Sequence, residues 1–176
     1  MKIIQTKFKT LKIVKSLVNK DNRGIFREIF KKKNFKRINF PFVCTSTSKK
    51  NVLRGLHLQT QNTQGKFVTV LKGEIYDVAL DLRKKSKTFC KYFSIYLSDK
   101  NGLSIYIPPG FAHGFIALKK ENIIVYSCTN YRSKKHEIGI KWNDKDANIK
   151  WPIKKPIISK KDKKNISLIE YKKKYG

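Results

Sequence analysis

From residue 52 to residue 131 the chain runs in short segments that alternate apolar and polar side chains, each cut off by a glycine or proline turn. Strands put successive side chains on opposite faces, whereas helices repeat every 3.6 residues, so this rhythm marks strands. Residues 67–71 lead into the turn Lys72–Glu74. Residues 75–82 follow, with Asp77 and Asp81 on one face and Tyr76, Val78, Leu80 and Leu82 on the other. That pattern predicts a half-buried strand with its acids on the wet side. Residues 91–97 repeat it, and Asp99–Gly102 offers a hairpin turn. Residues 104–107 stop at Pro108 and Pro109, which cannot donate to a sheet ladder. Residues 115–118 and 123–127 are expected to pair with each other across 119–122. Many short strands at close spacing indicate an all-β sandwich or barrel.

A length of 176 residues suits one domain, 1–176. Residues 1–50 read as an N-terminal arm and edge strands, 52–131 as the barrel core, and 142–176 as an irregular C-terminal segment. One helical turn is expected near Glu28–Phe35. Pro152 and Pro156 forbid a long helix near the end, and the last dozen residues read as a short helix or a frayed tail. Helices are therefore short and peripheral. No apolar stretch has membrane-spanning length, and the N-terminus lacks a signal-peptide layout. Cys44, Cys90 and Cys128 have no metal-type spacing. The expectation is a cytoplasmic protein with reduced thiols, not associated with a membrane.

The charge is extreme, with 41 Lys+Arg against 12 Asp+Glu and a formal +29. Lysines are scattered along the whole chain, mostly at expected turns, and only six of the basic residues are arginine. Arginine is the better reader of phosphates and bases. The distribution argues against a specific nucleic-acid partner and for a general attraction to anions, sugar nucleotides included.

The chain has three histidines. His57 lies in the strand-like stretch 52–59, and His113 closes a proline–glycine turn at 108–114. Each alone reads as a core residue, a metal ligand or a base. A metal barrel of this kind draws a His-x-His pair and a carboxylate from its first strand, whereas here Leu56 and Leu58 flank His57. Too few ligands converge for a metal. Arg23, Arg54 and Lys66 sit in strand-like or glycine-flanked segments, as solvated edges or as binders of a diphosphate and an oxyanion. Tyr126 could present a hydroxyl inside the barrel, and Asp162 is a lone acid in a basic run. Arg54 and His57 are three residues apart, so a flat strand would place them on opposite faces. They share a pocket only if Gly55 hosts a bulge or the strand bends there.

The motifs, in order, resemble the dTDP-4-dehydrorhamnose 3,5-epimerase family over nearly the whole chain. They run through residues 21–28, 49–57, 64–66, 73–83, 86–89, 107–115, 126–131, 139–144, 149–152 and 158–162. The resemblance implies a cupin-like jelly roll, a homodimer, and a nucleotide-diphosphate sugar as substrate, with no metal or other cofactor. It implies His57 as base, oriented by Asp162, with Tyr126 as acid on the other face of the sugar and Lys66 at the enolate oxygen. Arg54 and His113 would line the same pocket. Arg23, Glu28, Glu137 and Lys161 match positions that contact nucleotide and sugar, and Tyr131 and Arg132 are expected among the substrate-binding residues. An N-terminal arm reaching into the partner is the family expectation. The sequence departs from the family at Phe42–Cys44, where a polar segment is usual, at Ser127, and at Arg132, which stands in place of a base-stacking aromatic. Arginine can itself stack on a base. The alternatives are a metal-dependent cupin enzyme and a non-catalytic sugar- or nucleotide-binding barrel.

Overall fold

The computed structural model describes residues 1–175 and is built almost entirely of strands. In chain order these are β1 (Lys2–Gln5), β2 (Lys12–Lys15), β3 (Val18–Asp21), β4 (Gly24–Arg27), β5 (Phe42–Lys49), β6 (Leu53–Gln59) and β7 (Lys66–Lys72). There follow β8 (Glu74–Asp81), β9 (Tyr92–Ser98), β10 (Leu103–Ile107), β11 (Phe111–Ala117), β12 (Glu121–Cys128) and β13 (Glu137–Gly139). A 3-10 turn at Lys32–Phe35 meets the helical turn expected there, and one α-helix, α1 (Leu168–Tyr175), is the last element among the described residues. Among the described residues no helix is long and apolar enough to cross a membrane.

One sheet has the order β1-β2-β10-β7-β12-β5 and the other β13-β6-β11-β8-β9, while β3 and β4 form a separate hairpin. The strands of both sheets pair antiparallel, and from β5 to β8 the chain changes sheet at every connection. The result is a jelly roll of the cupin-like kind. Phe8, Val68, Ile105, Phe115 and Ile124 fill the space between the sheets. Each fully buried apolar side chain of this size contributes on the order of 1.5–3 kcal/mol. The outer face of the five-stranded sheet is also covered. Val78, Leu80, Ile116 and Leu168 pack there with Trp142 and Trp151 of the C-terminal segment. Phe35 with Phe30 and Phe40 covers Phe67 and Tyr106 on the outside of the six-stranded sheet.

Three local expectations need correcting. Asp99–Gly102 is not a hairpin, because β9 and β10 belong to different sheets. The Asn101 side chain bonds Ser98 N, Leu103 N and Tyr96 O, supplying at that corner the partners a ladder would have given. Residues 115–118 and 123–127 do not pair either, since β12 pairs with β5 and β7. Fully buried Asn122 bonds Glu74 N, Lys119 N, Ser48 O and Lys119 O and so carries that corner. Finally, β8 is buried on both faces. Its acids point inward, Asp77 to His113 and Asp81 to Arg83, Ser86 and Thr88. The alternation is legible in the sequence, but it could not show that the acidic face would turn inward between the sheets while the C-terminal segment covered the apolar face.

Candidate active site

A cleft of about 570 Å³ opens between the two sheets. His57 reaches it from β6. The register explains how Arg54 joins it there. On β11, one residue separates His113 from Phe115, whereas on β6 two residues separate their partners His57 and Arg54. Of the bulge or bend the sequence called for, the extra residue is the bulge, and it restores both side chains to one face. Gly55 permits it with φ near +117°. A Cβ at this position would lie 2.6 Å from Gly114 Cα and from the His113 carbonyl oxygen, so no other residue fits without displacing backbone.

Asp162 arrives from the C-terminal segment and bonds His57 Nε2 through Oδ1 at 2.6 Å. The carboxylate is buried, yet its pKa lies below the usual range. Desolvation pushes it upward, but the bonds and charge of His57 and the Ser159 hydroxyl outweigh that. Opposite, on β12 of the other sheet, half-buried Tyr126 bonds Ser46 Oγ at 2.9 Å. Desolvation pushes its phenol well above the ordinary value, so it keeps its proton at neutral pH. Lys66 enters from the start of β7, and desolvation lowers its pKa against the pull of Cys128, Glu137 and Asp77. Arg54 is aimed by Ser48 Oγ at 3.0 Å and by the Thr47 carbonyl at 3.1 Å. His113 bonds Asp77 at 2.8 Å and meets the Tyr126 ring edge-on at 6.3 Å between centroids.

At the cleft rim Glu137 takes both ends of a fork from Arg132, at 3.0 and 3.2 Å, and a bond from Lys161. Burial raises its pKa, but these two cations overcome that and hold it down at about 2. The structure thus brings together His57, Asp162, Tyr126, Lys66, Arg54, His113, Arg132, Glu137 and Lys161 around one cleft. Tyr131 stands outside its lining, exposed, with its ring 6.2 Å from that of Phe42. Arg23 and Glu28 lie apart, Arg23 against Asp21 at 2.6 Å and Glu28 beside Lys31. Sequence reasoning missed Asp77 and Ser46. Asp77 looked like a surface acid, and nothing near Ser46 distinguished it from the other hydroxyls of β5. Among the described residues no three His, Cys, Asp or Glu side chains gather in a metal-like cluster.

Chemically, the cleft sets a carboxylate-backed imidazole on one wall against a protonated phenol on the other, with an ammonium and a guanidinium lining the same cleft. It suits proton removal from one face of a carbonyl compound and return to the other. The profile of dTDP-4-dehydrorhamnose 3,5-epimerases matches residues 5–170. The dTDP-4-dehydrorhamnose 3,5-epimerase of Shigella flexneri is 43% identical over 168 residues, covering 92% of this chain and 93% of that one. The crystal structure of the enzyme of that name from Sulfolobus tokodaii superposes with a TM-score of 0.87 at 43% identity, covering 97% of each chain. A dTDP-6-deoxy-D-glucose-3,5-epimerase from Legionella pneumophila, solved with dTDP-4-keto-L-rhamnose, gives 0.91 at 39% identity, over 96% of this chain and 93% of the other. With the paired walls of the cleft and this likeness along almost its whole length, the chain belongs to the dTDP-4-dehydrorhamnose 3,5-epimerase family of isomerases.

Proposed function

We propose that this chain, acting as one catalytic domain, inverts C3 and C5 of a dTDP-linked 4-keto-6-deoxyhexose in deoxysugar synthesis. Protons at both carbons are acidic because each is α to the C4 ketone. His57 is the base. With Nε2 bonded to Asp162, Nδ1 is the nitrogen left to take the proton. Negative charge then moves to the C4 oxygen, where Lys66 and Arg54 stabilise it most in the desolvated cleft. Tyr126 returns a proton from the opposite face, and the centre inverts. His113 touches the sugar, while Arg132, Glu137, Lys161 and Tyr131 form the nucleotide end. The observation that carries this reading is the 2.6 Å His57–Asp162 bond inside a cleft that Tyr126 faces from the other sheet.

Incubation of the protein with dTDP-4-keto-6-deoxyglucose in D₂O is expected to put deuterium at C3 and C5, read by proton NMR. Absence of label at both carbons, there and in sugars carried by other nucleotides, would sink the reading.

Arg23 and Glu28 complete a cleft only if they come from a second copy. The β3–β4 hairpin supports this, since Ile25 and Phe26 are largely exposed beside Arg23. An exposed apolar tip of this kind marks a contact surface. We therefore read the chain as a homodimer whose hairpins reach the partner's cleft. Sedimentation at micromolar concentration is expected to give twice the chain mass, and a monomer that turns over at full rate would refute the exchange of arms. Three free cysteines suit a reducing cytoplasm as the place of reaction.

A further inference from the structure

Asp77 has no assigned part in the reaction, yet it is the most enclosed charge beside the cleft. It lies on β8 with 0% exposure and accepts the bond from His113 Nε2 at 2.8 Å through Oδ2. Its other oxygen, Oδ1, is buried with no hydrogen-bond partner among the described residues. A carboxylate held this way is costly for folding, and an apolar residue of similar volume would stabilise the core better. Its placement calls for a reason beyond packing.

The reason lies in what it holds. His113 lines the cleft, 5% exposed, and stands directly across the ladder from His57. With Nε2 tied to Asp77, the ring nitrogen left for the cleft is Nδ1. The pair repeats the construction of His57 and Asp162, carboxylate on Nε2 and Nδ1 free. A carboxylate partner holds a proton on Nε2, and in the neutral ring Nδ1 then presents its lone pair. A 4-keto-6-deoxyhexose has one hydroxyl adjacent to its ketone, on C3, because C5 carries the methyl group.

We propose that Asp77 is a positioning residue, which fixes the His113 ring and its tautomer so that Nδ1 accepts the C3 hydroxyl of the sugar. The inference rests on the epimerase reading above. It makes His113 a register pin for one of the two centres. A ring held at its C3 hydroxyl keeps the C3 hydrogen facing His57, whereas exchange at C5 depends less on that contact.

The test uses the full-length protein with Asp77→Asn, His113→Asn and the double variant, with deuterium uptake at C3 and C5 measured separately. Asp77→Asn is expected to slow C3 exchange roughly 10–100-fold, the scale on which supporting partners act. C5 exchange should fall much less, and KM should stay within a few-fold. The double variant should be no slower than His113→Asn alone, because Asp77 acts through His113. C3 and C5 falling together, losses that multiply in the double variant, or a wild-type rate in Asp77→Asn would each overturn the proposal. If Asp77→Asn does not fold, the ¹⁵N shifts of His113 in the unmodified protein decide. Protonated Nε2 with bare Nδ1 supports the proposal, and the reverse tautomer refutes it. A wild-type protein that labels neither carbon would refute the epimerase reading itself, whereas labelling unaffected by Asp77→Asn would refute this inference alone.

Discussion

Alanine at position 57 is expected to slow deuterium entry at both C3 and C5 by about 10²–10⁴-fold, the contribution of a positioned general base. The loss should fall on kcat, since the imidazole acts on a proton in flight and contributes little to holding a nucleotide. The fold should survive. The His57 side chain is 24% exposed, and the apolar layers on both sides of β6 do not depend on it. Asp162 would lose its cleft-facing partner but keep the Ser159 contacts that hold its own turn. Circular dichroism should therefore be unchanged while exchange collapses. A His57→Ala protein that labels either carbon within tenfold of the parent would remove His57 from the role of base. Loss of both labels together is the specific expectation, because a single imidazole serves the two carbons on either side of one ketone.

The strands of this site were legible in the sequence because side-chain alternation is a local property of a chain. Which sheet a strand joins is not local. Asn101 and Asn122 look like ordinary turn residues in sequence, and only the assembled sheets show that their side chains replace ladder bonds at corners. The same limit applies to the acids. Asp77 and Asp81 have the alternation of a wetted face, yet that face, shared with Ile75 and Ala79, is turned inward between the sheets, while residues more than sixty positions later cover the other side of β8. That the strand must bulge or bend at Gly55 was legible, since Arg54 and His57 could not otherwise share a face, and the register shift shows a bulge. The His57–Asp162 bond joins residues 105 positions apart, and no spacing argument could have paired them. Family resemblance pointed to the pair, whereas the geometry of two converging sheet walls gives it a physical reason.

Phenylalanine at position 126 is expected to separate two events that His57→Ala removes together. The reading assigns proton removal to one wall and proton return to the other. Without the phenol, a substrate carbanion can still be reprotonated by His57 from the face it left. Tyr126→Phe should therefore continue to wash deuterium into C3 and C5 with retention of configuration, while net inversion falls about 10²–10³-fold for want of a general acid. Only the hydroxyl is removed. Its partner Ser46 lines the same cleft from β5, so the lost bond should cost about 1 kcal/mol of stability and leave the ring packed against His113. Desolvation keeps the Tyr126 proton in place far above neutrality, so the wild-type acid should not limit the rate on the alkaline side before Lys66, whose pKa desolvation lowers, begins to lose its charge. Proton NMR of the sugar distinguishes the outcomes in one experiment, since retained and inverted products differ in their ring couplings and the label is read at each carbon. Inversion at the parental rate would show that another group supplies the second proton. Loss of exchange along with inversion would mean the two walls do not divide the work, and that the phenol takes part in removing the proton as well as returning it.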